Sequence, residues 1–339
     1  MNSESARGYR PCIIIPGIGQ SRVIETDENG EKIRNLWPFD PDIDALVKSV
    51  APSAARMMLL RRDCGFTAAL DKAVRTMLEP LSCTPDSMRK VRAEVVGYYR
   101  PVGECTAGEK RYIYKMVPLN ALADIIGEEN LYFFAYDIFG RADENARLLR
   151  EFIAMVKEQR QCEKVDLIPV SMGATVAEMY FELYGADQDV KRVIGVVPAY
   201  DGSDIAADLV AGDINTDDCD ALLEMLLSRR EAEKISKLMH MMPKKVADGA
   251  VRALVRAACE SVVVNSSAMW GIIPSERYPA LRDKYLGDSA HDAMRAVTDR
   301  PPRGRRGGAS SCTGKNCISA PNWGRAGAAP LCASEDAPS

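Results

Sequence analysis

The stretch from residue 164 to residue 184 constrains the fold most. It runs KVDLIPV, then Ser171-Met172-Gly173, then ATVAEMYFELY. The first seven residues are a short apolar run, the pattern of a strand buried on both faces. The residues after it repeat apolar side chains at helical spacing, with Val176, Met179, Tyr180 and Leu183 on one side and Gly185 at the expected C-terminal stop. Nothing separates the two but a sharp turn carrying a serine. The same rhythm extends to both sides. Residues 131–136 (LYFFAY) read as a strand and 141–160 as a helix, with Asp143 and Glu144 in its first turn and Leu149, Phe152, Ile153 and Val156 on its apolar face. Residues 191–197 (KRVIGVV) read as a further strand, and residues 11–16 (PCIIIP) as an earlier one. Strand, helix, strand, helix, strand is a βαβαβ unit. The expected fold class is therefore α/β, a mostly parallel sheet with helices on both faces.

Two segments break that rhythm. Residues 36–115 hold helical stretches at 54–60 and 67–78, a candidate strand at 91–99 and a loop at 100–110. Residues 203–290 are mostly helical and methionine-rich, with Met225, Met239, Met241, Met242 and Met269. Methionine makes deformable apolar surface. Both segments are expected as helical cap insertions in one domain spanning 1–299, and ordinary helical core is the competing reading of the methionines.

From residue 300 the character changes. Residues 300–339 hold five prolines, six glycines and six basic against two acidic residues, with Ile318 and Leu331 alone as aliphatics beyond alanine. Such a segment cannot bury a core, and a low-complexity, disordered tail is expected. Its abrupt onset after the amphipathic stretch 290–297 fits a change of reading frame. A basic interaction arm is the alternative.

The Ser171 junction is the candidate site. A serine at a strand-to-helix turn, with glycine two residues on, is the nucleophile-elbow pattern. The hydroxyl projects from the carboxyl edge of the sheet, Gly173 keeps bulk out of the bend, and the helix N-terminus presents amides to a forming oxyanion. Ser171 is the candidate nucleophile and the Met172 amide one oxyanion donor. The usual glycine two residues before the serine is replaced by Pro169. The competing reading makes Ser171 a helix N-cap. The turn Pro16-Gly17-Ile18-Gly19-Gln20 follows the first strand, and the amide of Ile18 or Gly19 is the candidate second donor. Neither a P-loop nor a completed dinucleotide fingerprint is present, so no nucleotide cofactor is expected.

Composition excludes other classes. The chain has 339 residues and a formal net charge of -4, the wrong sign for a general nucleic-acid binder. Ten cysteines without a C-x-x-C pair, and only two histidines, argue against a zinc site. Most of the cysteines are expected as buried free thiols. No apolar run reaches the roughly 18 residues of a membrane span, and residues 1–10 are polar, so a cytoplasmic location is expected. Arg303, Arg305 and Arg306 allow at most peripheral contact with an anionic surface.

Four segments together resemble the bacterial branch of the lecithin:cholesterol acyltransferase-like α/β-hydrolases: IIIPGIGQS (13–21), YFFAYDIFGRADENARLLREFI (132–153), VDLIPVSMGATVAEMY (165–180) and AMWGIIPSERYPAL (268–281). Tyr136-Asp137 stands where the family has a Y-D-W-R-like run. Val170 and Ala174 stand where the family's H-S-M-G-G elbow has histidine and the second glycine. The resemblance implies an α/β-hydrolase fold with a helical cap, and acyl-ester hydrolysis or O-acyl transfer on lipid-like or small esters through a Ser-Asp-His triad, with no cofactor. Family members place the acid and the histidine late in the chain, here beyond residue 300, where there is no histidine. Of the two histidines, His240 lies in KLMHMM and His291 in SAHDAMRA, both helical contexts upstream of that position. Asp201 (AYDGSD) reads as a loop turn rather than the triad acid. The expectation is thus a chain with its triad incomplete and weak as an enzyme. The alternative is a catalytically inactive, hydrolase-like protein that binds a ligand or a partner.

Overall fold

The computed structural model describes residues 8–117, 119–212 and 241–286. His240, His291, Met225, Met239, the stretch 290–297 and the tail from residue 300 lie outside the described residues.

The centre is a four-stranded, wholly parallel sheet. Its strands are β1 (Cys12–Ile15), β5 (Leu131–Phe133), β6 (Val165–Pro169) and β7 (Val190–Val193), in spatial order β5-β1-β6-β7. The apolar runs at 11–16, 131–136, 164–170 and 191–197 supply these four strands. The period of two sorts their side chains. Ile13, Ile15, Tyr132, Val165 and Leu167 face one core, while Cys12, Ile14, Leu131, Phe133 and Ile168 face another. The first core is closed by α5 (Ala142–Arg160) and α6 (Gly173–Tyr184). The second is closed by α3 (Ala107–Met116) and α4 (Asn120–Ile126), through Ile113, Ala123 and Ile126. Helices therefore cover both faces. α3, most of which falls within the 36–115 segment, thus packs on the sheet.

A second, antiparallel sheet was not legible as such in advance. Its centre is β2 (Val23–Thr26), flanked by β3 (Lys32–Trp37) and β4 (Ala93–Val95). The β2–β3 turn is built by Asp27, whose carboxylate accepts from the amides of Asn29 and Glu31, and by Gly30 at φ 82°. β4 lies within the expected strand at 91–99.

Helices α1 (Ile43–Leu60), α2 (Phe66–Leu78) and α8 (Lys244–Ala258) share a third apolar cluster of Val50, Met57, Phe66, Met242, Val246 and Ala250. Among the described residues Met242 and Met269 are buried and Met241 is exposed, so these three form no single surface. The chain then continues through α7 (Asp204–Ala211), a π-helical turn after α8 (Cys259–Val263), α9 (Ser267–Trp270) and α10 (Tyr278–Tyr285).

Two local readings need correction. α6 does end at Tyr184, just before Gly185, but Gly185 has φ -60° rather than a left-handed value, and the chain continues into a short 3-10 turn before Gln188 reverses it at φ 54°. Leu183 is exposed, whereas residues 173–180 of α6 are buried all round, because the start of that helix is wedged against the sheet. The described cysteines 12, 64, 83, 105, 162 and 259 are all free thiols, four of them buried. Burial pushes the Cys12 thiol up to about 12 and the Cys83 thiol up to about 11, which keeps both protonated. Among the described residues no helix is long and apolar enough to cross a membrane.

Candidate active site

Ser171 sits directly beyond β6, at the carboxyl edge of the parallel sheet, where α/β folds place their ligand sites. Its backbone has φ 48°, in the left-handed region that a non-glycine residue rarely occupies. Besides the Ala174 amide, which donates to its carbonyl, two hydrogen bonds from another segment hold it there. The Ser171 amide donates to the Val196 carbonyl at 3.1 Å, and the Ser171 carbonyl accepts from the Ala199 amide at 3.0 Å. Both partners belong to the loop after β7. Between them Val197 is itself at φ 40°, a strained value for a β-branched side chain. The serine is gripped by backbone from the neighbouring strand.

The N-cap reading of Ser171 finds no support. The residue flanking α6 is Met172, and no side chain caps that helix. Among the described residues the Ser171 hydroxyl has no hydrogen-bond partner, and the side chain is partly exposed. The Met172 amide likewise has no acceptor among the described residues, and it stands at the N-terminus of a twelve-residue helix.

Gly173 is required by space. A Cβ there would lie 2.1 Å from the Ile15 carbonyl oxygen and 2.8 Å from that of Pro16. This close approach of α6 to the end of β1 brings the second sequence element to the serine. A Cβ on Gly17 would lie 3.0 Å from the Ser171 Cβ and 3.4 Å from the Val170 carbonyl oxygen. Residues 17–20 form a tight turn closed by Gln20 N–H on Gly17 O at 3.3 Å, with Gly19 at φ 85°. Ile18 is exposed, and neither its amide nor that of Gly19 donates a hydrogen bond among the described residues. Ser171, Met172, Ile18 and Gly19 are thus brought to one edge of the sheet.

Tyr136 supports the turn from below. It is fully buried, and its phenol donates to the Pro16 carbonyl at 2.9 Å, while its amide donates to the Ser21 hydroxyl at 3.2 Å. Asp137 beside it is a structural carboxylate. It accepts from the Phe139 amide and faces the Arg89 guanidinium at 3.4 Å. Burial raises its pKa, and Arg89 opposes that without cancelling it. Asp201 behaves as the turn residue expected, with φ 61° and its carboxylate accepting from the Ser275 amide at 3.1 Å.

Sequence reading missed Gln20, Trp37 and Val197. Gln20 bonds into the turn with its side chain. The Trp37 ring lies 3.9 Å from where a Gly19 Cβ would be. Among the described residues no three His, Cys, Asp or Glu side chains are grouped to hold a metal. Comparison with family models, with curated proteins and with solved structures found no match.

Proposed function

We propose that this chain is a serine-dependent acyl-ester hydrolase or O-acyltransferase of α/β-hydrolase type, acting on lipid-like or small esters. The observation that carries the reading is the strained backbone of Ser171, at φ 48° beyond a parallel strand, with the unused Met172 amide next to it. A serine that only caps a helix has no need of a left-handed backbone.

In this reading the Ser171 Oγ attacks the ester carbonyl carbon and the alkoxide leaves. The acyl group then passes to water or an alcohol. The oxyanion forms between the Met172 amide, aided by the α6 dipole, and the amide of Ile18 or Gly19. The hydroxyl proton needs an acceptor. The chain's two histidines, His240 and His291, both lie outside the described residues, so the nucleophilicity of Ser171 is the quantity to measure.

Treatment with a fluorophosphonate probe, followed by peptide mass mapping, tests the reading. The expected result is slow covalent labelling at Ser171 that Ser171→Ala removes. A chain that takes no label under conditions that modify a reference esterase sinks the reading. The ligand-binding alternative then takes its place.

A further inference from the structure

The Gln20 side chain links the turn that faces Ser171 to α3. The Gly17 amide donates to Gln20 Oε1 at 2.5 Å, and Gln20 Nε2 donates to the Met116 carbonyl at 2.6 Å. Gln20 also closes the turn with its own backbone, N–H to Gly17 O at 3.3 Å, and its carbonyl accepts from the Tyr112 phenol at 3.2 Å. Tyr112 and Met116 belong to α3, a helix anchored on the sheet through Ile113. Burial pushes the Tyr112 phenol up to about 12, so it remains a protonated donor at neutral pH.

The geometry has a consequence for the amides. Gly17 N–H is consumed by Gln20, whereas the next two, Ile18 and Gly19, have no acceptor among the described residues. A free Gly17–Gly19 turn would sample many orientations, because glycine allows both signs of φ. Oxyanion stabilisation requires donors already in place when charge develops. A primary amide suits the task, since it accepts from one chain segment and donates to another across a single rigid plane.

We infer that Gln20 is the positioning residue of the second oxyanion donor, locking the 17–19 turn to α3 so that an Ile18 or Gly19 amide faces Ser171. The inference rests on the acyl-transfer reading of Ser171, and it assigns Gln20 no contact with the substrate.

Gln20→Met keeps the side-chain length and removes both hydrogen bonds. The maximal rate of fluorophosphonate labelling should fall at least ten-fold, with the half-saturating probe concentration changed less than two-fold. Amide hydrogen exchange of residues 17–21 should accelerate in the same variant while that of β6 does not. Gln20→Glu provides a second probe. A protonated glutamic acid can both accept and donate, an ionised one can only accept. Its labelling rate relative to wild type should therefore recover as pH falls toward 5, and that of Gln20→Met should not. Unchanged labelling and unchanged exchange in Gln20→Met overturn the inference. Faster exchange with unchanged labelling also overturns it, because the turn is then locked to no chemical effect. If wild type takes no label, the acyl-transfer reading fails by itself. Faster 17–21 exchange in Gln20→Met then leaves a structural lock and removes the catalytic assignment.

Discussion

Gly173 and Val197 show how single positions set the geometry of the serine. Alanine is normally preferred to glycine in a helix by up to about 1 kcal/mol. At Gly173 that gain is outweighed, because the added Cβ meets a backbone oxygen at 2.1 Å and backbone cannot rotate aside. Gly173→Ala should destabilise the fold by about 3 kcal/mol in urea titration, at the upper end of over-packing costs. A loss under about 1 kcal/mol would mean that α6 slides freely on β1. At Val197 the strain lies in φ rather than in space. Val197→Gly should cost less than about 0.5 kcal/mol despite the lost side chain, because the released strain offsets the added freedom of the unfolded chain. Val193→Gly, in regular strand, should cost about 2 kcal/mol by comparison, and equal losses at the two sites would argue against strain at Val197. Ser171 and Gly173 were legible in sequence because the elbow is local, three residues between a strand pattern and a helix pattern. Gln20 and Val197 were not. Gln20 bonds Met116, 96 positions away, and Val197 lies between Val196 and Ala199, which bond the Ser171 backbone from the next strand's loop, and no periodicity encodes such contacts.

Among the elements, local pattern worked where burial was regular. The βαβαβ segment was legible from residue 131 to residue 193, since β5 and β6 are buried throughout and β7, with Lys191 and Arg192 exposed, follows from its place in the rhythm. The β2–β3 hairpin was overlooked, although Asn29-Gly30 signals a turn. The reason is that four of the six β3 residues are exposed, which leaves no alternation to read. The contacts between α2 and α8 escaped for another reason, since part of their bonding is ionic. Asp71 on α2 bonds Arg75 at 2.7 Å within its own helix and Arg256 on α8 at 3.1 Å, and Arg75 reaches Glu260 at 2.5 Å. The hydrogen bond from Arg75 holds the Asp71 carboxyl below the usual range, burial opposes it, and the hydrogen bond from Arg256 adds a smaller lowering effect. The sign follows from linkage. A depressed folded-state pKa adds stability above the unfolded value of about 4, and that stability is lost as pH falls below it. Asp71→Asn should thus lower stability at pH 7 by no more than about 1 kcal/mol, the scale of partly solvated pairs. The difference from wild type should shrink as the pH is lowered from 4 to 2. A difference that grows over that interval would reverse the assignment.

For the molecule as a whole, the two cores meet at β1 and β6, and the sheet ends at β5 on one side and at β7 on the other, each paired with one strand among the described residues. β7 pairs with β6 alone there. Lys191 and Arg192 are exposed on that strand, and charged side chains at a sheet edge discourage pairing with a second chain. The residues that follow lack such protection, since Ile194 is 40 %, Val196 42 % and Val197 66 % exposed. Their backbone is already committed inward, with the Ile194 amide on Leu167 O and the Val196 amide on Pro169 O. Apolar side chains beside an open edge favour self-association, whereas the inward hydrogen bonds, including the one that grips Ser171, do not depend on those side chains. Replacing Ile194 and Val196 together by lysine should therefore reduce light scattering on concentration or heating. The unfolding free energy from urea titration should stay within about 0.5 kcal/mol of wild type, as for exposed positions generally. Fluorophosphonate labelling of Ser171 should persist as well, because the Val196 carbonyl remains in place. A stability loss of about 2 kcal/mol or more would show instead that these two side chains are covered in the folded chain. The edge would then be an internal face of the sheet rather than its boundary.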